Sequence, residues 1–417
     1  MSKAAKATQR NSFLLTDPEA IERVRASVLA KVVGGMSELP VHPVIAEFQE
    51  LINRDPVVRM YMTNMVKEIP PQCKEHHPKT ARELLLQLNA VLTVAPPYVP
   101  PGEGEATALV GTPFSAVLIW TMGTPSGFAA YRHPPINAMF QRLLLAWTGF
   151  LDSSDSRSVL NPGPSGWQSE PAMKQLDMDD YVYDPNAEYW GFKSWNDFFT
   201  RKVKAGKRPI AEPHNPTVVT AACDSQVYRI AHDVRPTSPF WIKGEPYSLH
   251  DMLDGNYVEQ FEGGDVFQAF LSPFNYHRWH SPVSGKVVKA YVKEGLLFSQ
   301  DTFWGEDPTD QDHSEGYLAH VQTRAIIFIQ ADEPIGMVCV MPIGMVEIST
   351  CVINEKIKPG ARVEKGQELG YFQFGGSTHC VMFRPGVIKE FTGHGPSKPN
   401  GSDGTSYQVG QIIAKAR

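Results

Sequence analysis

No stretch of this 417-residue chain approaches the run of roughly 18 apolar residues that a membrane-spanning helix requires; the nearest, Ala116 to Met122, is far too short. A transmembrane anchor is not expected. Nor is there a Lys/Arg-rich block: 39 basic residues stand against 45 acidic ones, a net charge of −6 with a pI near 6.1, so the electrostatic footprint of a nucleic-acid binder is missing. Cysteine is scarce. The five residues, at 73, 223, 339, 351 and 380, are odd in number and lack CxxC spacing, which argues against a disulfide framework and a zinc ribbon and fits a reducing cytosol. The first ten residues are basic without an apolar core, so residues 1–16 are expected to be a disordered tail rather than a secretory signal, with a mitochondrial presequence as the alternative. A cytoplasmic location follows as the expectation.

What is present is a soluble globular composition, 42% hydrophobic, long enough for two units. Residues 17–189 carry helical patterns. Asp17-Pro18 reads as N-cap and N1 of a helix over Glu19 to Val33, closed by Gly34-Gly35, and further helices are predicted from Pro43 to Asn53, Pro56 to Glu68, Thr80 to Leu92 and Pro135 to Leu151. Met60, Met62 and Met65 read as helix packing, and Val159 to Met173, rich in Pro, Gly and Ser, as a connecting loop. Cys73, His76 and His77 form a lone cluster without a second ligand pair, so no metal site is expected there.

Past residue 215 the pattern turns to short β-branched runs bounded by Gly, Pro or Asp. They lie at Val218–Ala222, Val227–Ile230, Val287–Val292, Ala325–Ile329, Met337–Val340 and Val346–Val352. Ser281 to Val287 and Lys358 to Gly366 both resemble the hairpin turns of lipoyl-type β-barrels. The expected fold class is α+β: a helical N-terminal domain followed by a β-rich catalytic domain over 190–417.

Two stretches carry candidate chemistry. Gly375-Gly376-Ser377-Thr378 sits between two strand-like runs, Leu369–Phe374 and Cys380–Phe383; it reads either as an ordinary hairpin turn or as an unhindered turn presenting a hydroxyl to the preceding carbonyl. Leu271 to Pro282 holds His277 and His280 squeezed between two prolines, which fits an extended segment better than a helix and leaves structural histidines or a metal site as competing readings. His379 and Cys380 are adjacent and would point to opposite faces of a strand, so they are not expected to form a base–nucleophile pair.

Read together, Leu271-Ser-Pro-Phe-Asn-Tyr-His277-Arg-Trp-His280-Ser-Pro282 resembles a signature of the phosphatidylserine decarboxylases, pyruvoyl-dependent enzymes that mature by self-cleavage before a serine. Phe198-Phe199-Thr-Arg201 with Arg208-Pro209, then Lys243-Gly-Glu-Pro-Tyr247-Ser-Leu249, and the Gly376-Ser377-Thr378 turn match further motifs of that family in order. The helical first half is similar to a soluble fungal subgroup that decarboxylates free L-tryptophan.

The resemblance implies cleavage between Gly376 and Ser377, with Ser377 Oγ attacking the Gly376 carbonyl and the resulting ester eliminating and hydrolysing to leave a pyruvoyl group at 377. It implies His280 as the base that activates Ser377, Asp224 as its orienter, and His277 as a participant in decarboxylation or reprotonation. Ser225 stands where the family has glycine after the aspartate, and Asp265 is the fallback for Asp224. The implied cofactor is the self-made pyruvoyl group, with no metal, and the implied partners are a small-molecule amino acid and the chain's own cleaved C-terminal piece, held on by hydrogen bonds between the strands flanking the cut. A free aromatic L-amino acid is the expected substrate. Decarboxylation of phosphatidylserine to phosphatidylethanolamine, and a non-processing binding protein, are the alternatives. Trp279, Phe274 and Tyr276 read as core aromatics before pocket walls.

Overall fold

The computed structural model describes residues 22–23, 25–26, 39–70, 77–100, 109–110, 112–238, 247–300, 302, 314–347, 350–373, 377–397 and 403–417. Of the first predicted helix only residues 22–23 and 25–26 fall in this set, and they are helical. Three helices follow close to their expected bounds: α1 (Pro43–Arg54), α2 (Pro56–Lys67) and α3 (Ala81–Val91). Their starts are chemically set. The Asp55 carboxylate accepts the N–H groups of Val57 and Val58 ahead of Pro56, while Thr80 Oγ1 takes the Glu83 N–H and Glu83 returns a bond to the Lys79 N–H.

Helix α4 (Pro113–Met122) is not among the predicted ones. All its residues are buried, so it is apolar on every face and has no 3.6-residue alternation to detect. Two more helices, α5 (Pro125–Ala130) and α6 (Pro134–Leu151), complete this layer. The expected loop over Val159 to Met173 gives way at its end to α7 (Glu170–Leu176), and α8 (Trp195–Phe199) follows. Met62 and Met65 are fully buried, but Met60 is 48% exposed and takes no part in the packing expected of it. His77 is buried and bonded to Arg25 and Glu22; Cys73 and His76 lie outside the described residues.

A two-residue antiparallel pair, β1 (Tyr98–Val99) with β2 (Leu109–Val110), lies among the helices. The β-rich half holds β3 (Val218–Thr220), β4 (Ser225–Ala231), β5 (Asp265–Leu271), β6 (Arg278–His280), β7 (Gly285–Lys293), β8 (Arg324–Ala331) and β9 (Met337–Gly344). These are followed by β10 (Thr350–Ile353), β11 (Arg362–Val363), β12 (Glu368–Gln373), β13 (Ser377–Phe383), β14 (Ile388–Phe391), β15 (Ser406–Tyr407) and β16 (Ile412–Ala416). They form an eight-stranded sheet in the order β11-β7-β8-β9-β13-β5-β4-β15 and two three-stranded sheets, β10-β12-β6 and β14-β16-β3. The two segments likened to lipoyl-type turns meet: Val363 pairs with Gly285 and Arg362 with Lys286. The strand expected over Val346–Val352 is shorter, because Val346 adopts a left-handed φ of 45° that ends the extended run; only β10 remains.

One buried apolar cluster runs from Val44 in α1 to Ala416 in β16 and so joins the helical layer to the sheets. The opposite face of the large sheet holds a smaller cluster that includes Tyr247, Phe328, Cys380 and Met382. Strand β13 lies between the two clusters, bonded to β9 on one side and β5 on the other along all seven of its residues.

Candidate active site

The strands on either side of Gly375-Gly376 do not form a hairpin. Strand β12 pairs with β10 and β6, whereas β13 pairs with β5 and β9, so the chain changes sheets at this point. This corrects the expectation that flanking strands would lace the cut ends to each other. Residues 374–376 lie outside the described set. Residues 377–417 would be held after a cut by the central position of β13, together with β14, β15 and β16, each paired to strands elsewhere in the chain or to one another.

Ser377 opens β13, opposite Leu271 in β5 and Gly344 in β9, and is fully buried. Its Oγ has no hydrogen-bond partner among the described residues. A buried hydroxyl left without a partner is costly. The next residue is treated in the opposite way. Thr378 Oγ1 lies 2.9 Å from Glu315 Oε2 and 3.1 Å from the Ala269 carbonyl, and accepts from Gln268 Nε2 at 3.2 Å. Gln268 in turn donates to the Glu315 carbonyl and accepts from the Tyr247 hydroxyl.

Tyr247 stood in a recognised motif, but Gln268 and Glu315 did not figure among the expected residues. The available signal was Gln268 itself, a lone polar residue inside the apolar run of β5. Glu315 opens α9 (Glu315–Val321).

His280 ends β6. Burial lowers its pKa, opposed by the bond to Gly366, so the imidazole is neutral at neutral pH. Its Nδ1 is 2.8 Å from the Gly366 carbonyl, which can only accept, so the ring proton sits on Nδ1 and Nε2 receives the Tyr276 hydroxyl at 3.2 Å. That tautomer leaves Nε2 as the basic nitrogen. The segment is fixed by Trp279, whose ring lies against Gly370 of β12; a Cβ there would come within 2.6 Å of the indole. His277, fully buried, stacks on Phe199 with ring centroids 4.1 Å apart. Trp279 packs on Phe372 as a core aromatic, whereas Phe274, packed on Trp167, is only partly buried and also lines a cleft.

Asp224 does not orient His280 through a hydrogen bond. Its carboxylate is taken by Arg208, with Nε at 3.1 and 3.0 Å and Nη2 at 2.6 Å, and by the Val409 N–H at 2.7 Å. Arg208 also bonds Asp180. In this structure the His280 ring is held by the Gly366 carbonyl, and the Asp224 carboxylate by Arg208. Proximity is nonetheless real: the His280 N–H donates to the Ala222 carbonyl, two residues before Asp224. The β4–β5 register then carries Asp224 to the end of β5 that flanks Ser377, about two strand spacings or ~10 Å away.

The fallback, Asp265, lies away from Ser377. It pairs with Phe383 at the far end of β13, ~20 Å from Ser377, and is bonded to His232. His379 shares the Ser377 face of β13, and burial pushes its pKa down to about 4; Cys380 faces the other cluster, as expected. Between α7 and the β4–β5 edge opens a cleft of about 510 Å³ lined by Tyr181, Arg208, Asp224, Phe270, Ser272 and Phe274 among others.

Comparison with known proteins gives the family. A family model described as phosphatidylserine decarboxylase matches residues 195–415, more than half of the chain, and a second of the same description matches residues 42–176. The chain belongs to the phosphatidylserine decarboxylase family, and it is an enzyme of the decarboxylase class. Within that class it is similar to the decarboxylase iboD of Amanita muscaria, 37% identical over 297 residues, 66% of this chain and 84% of the relative. It is also similar to the L-tryptophan decarboxylase of Psilocybe cubensis, 32% identical over 402 residues, 89% of this chain and 85% of the relative. Phosphatidylserine decarboxylase proenzyme 3 of Schizosaccharomyces pombe is 32% identical over 199 residues, but that match covers 47% of this chain and 19% of the relative. The match to the Psilocybe cubensis relative includes the helical half, on which the subgroup resemblance rested. Among the described residues no helix is long and apolar enough to cross a membrane.

Proposed function

We propose that the chain is a self-processing, pyruvoyl-dependent decarboxylase of a free aromatic L-amino acid such as L-tryptophan. The observation that carries this reading is Ser377: a buried hydroxyl without a partner among the described residues, at the first position of the strand that follows the sheet change. Attack of Ser377 Oγ on the Gly376 carbonyl would convert the peptide bond to an ester, and the Ser377 proton needs a base. Neutral His280, with its basic Nε2, is the group assigned to remove it. Loss of the α-proton then breaks the Cβ–O bond, expelling the Gly376 carboxylate and leaving a dehydroalanine at 377, which water hydrolyses to the pyruvoyl group with release of ammonia.

Once formed, that group supplies a carbonyl electron sink for the carbanion left when CO2 departs, which no side chain offers. The dry surroundings of Ser377 fit such a group, since water would compete for its carbonyl. His277, stacked on Phe199 and fully buried, is assigned to hold or return a proton at the substrate carbon.

The free amino acid is favoured by the long match to an L-tryptophan decarboxylase. Phosphatidylserine is the second reading, favoured by the family matches themselves. The deciding assay is CO2 release by purified protein from L-tryptophan, L-tyrosine, L-phenylalanine and phosphatidylserine vesicles, with Ser377→Ala as the blank. Release from an aromatic amino acid is expected; release from vesicles alone would replace the substrate assignment, and release from none would leave the binding-protein alternative.

A further inference from the structure

Glu347 is 2% exposed and makes no ion pair among the described residues. Its two carboxylate oxygens accept from the Ser115 N–H and the Ser115 Oγ–H, both at 2.7 Å. Ser115 is the third residue of α4, a helix buried along its whole length. The N-cap of α4, Thr112, makes no side-chain capping bond, and Pro113 brings no N–H, so a carboxylate from a distant part of the chain satisfies the helix start. Burial raises the Glu347 pKa while the bonds from Ser115 lower it. The contact joins the two regions that the family models match separately, 42–176 and 195–415.

The position of Glu347 gives the contact its meaning. Gly344, three residues earlier, is the partner of Ser377 across β9 and β13. Between them Val346 holds a left-handed φ of 45°, a conformation that a β-branched residue keeps only where its surroundings hold it. Anchoring Glu347 on α4 fixes the far end of this strained turn, and the near end is the strand edge against which Ser377 is registered.

We propose that Glu347 is a positioning residue for self-processing, through which the helical region sets the geometry at Ser377. The helical region is then a working part of maturation rather than a cover for the sheet. This rests on the self-processing reading above.

The test is the rate at which full-length chain converts to two fragments, followed on denaturing gels during cell-free synthesis of the whole protein. E347Q keeps the shape but removes the negative charge from the helix start and must reverse the bond with the Ser115 hydroxyl or turn its amide NH2 toward the Ser115 N–H, and should slow conversion roughly tenfold or more. E347D should restore part of the rate. S115A removes one of the two bonds and should slow it a few-fold, and S115A/E347Q should be no slower than E347Q, since both act through one contact.

Asn137→Ala, which deletes a bond from α6 to the Gly295 carbonyl elsewhere between the two regions, is the stability control and should process at the wild-type rate. Folding of each variant is read from circular dichroism in a Ser377→Ala background. Wild-type conversion by folded E347Q would overturn the proposal, as would equal slowing by Asn137→Ala. Should E347Q not fold, S115A decides: slowed conversion supports the proposal, and a wild-type rate overturns it. If the wild-type chain itself never converts, the self-processing reading fails instead.

Discussion

Two neighbouring hydroxyls on β13 are treated in opposite ways. Thr378 faces the smaller cluster and is held by Glu315, Gln268 and the Ala269 carbonyl, while Ser377, on the other face, is equally buried and has no partner among the described residues. Strand alternation alone puts them in different environments, but it does not decide which is satisfied. The chain has surrounded one hydroxyl with a network and kept the other available. A fold that fixes residue 378 in this way holds residue 377 in register while its hydroxyl has no partner among the described residues.

The sharpest way to probe the Ser377 side is through its assigned base. His280→Ala should reduce the processing rate on the order of a hundredfold or more, measured as conversion to fragments. Its pH dependence has a defined sign. Because burial holds the folded-state pKa below the ordinary 6.5, the neutral base persists as pH falls through that value, and the rate should decline only in more acidic solution. A wild-type profile that already halves at or above 6.5 would contradict the assignment. The Thr378 side should respond differently. Thr378→Val keeps the shape but deprives Glu315 of a donor, so in the Ser377→Ala background it should cost about 1–3 kcal/mol in denaturant melts. In an otherwise wild-type chain its effect on cleavage should be no more than a few-fold. A Thr378→Val variant as inert as His280→Ala would erase the distinction between the two faces.

How far the site could be read from residues alone varied with how local the determinants were. Asp55-Pro56 and Thr80 with Glu83 announce helix starts because capping acts over three or four residues. Helix α4 escaped because burial on all sides removes periodicity. The turn at 375–376 looked like a hairpin because its flanking runs alternate correctly, yet pairing is decided by β5, β6, β9 and β10, far away in sequence. Asp224 was picked by motif, but its partner is set by tertiary contact with Arg208, and the ring of His280 is oriented by a backbone carbonyl that no motif can encode. Glu315 and Glu347 had no pattern at all. A buried acid looks like any surface glutamate until its donors are in view.

The central claim is that the chain breaks its own backbone before Ser377. Intact-mass measurement of the purified wild-type protein tests it most directly, with Ser377→Ala beside it. The account predicts two wild-type species, one of residues 1–376 and one of residues 377–417 whose N-terminus is a pyruvoyl group and resists amine labelling, and a single full-length mass for Ser377→Ala. A wild-type protein that releases CO2 from its substrate while remaining one uncleaved chain would contradict it.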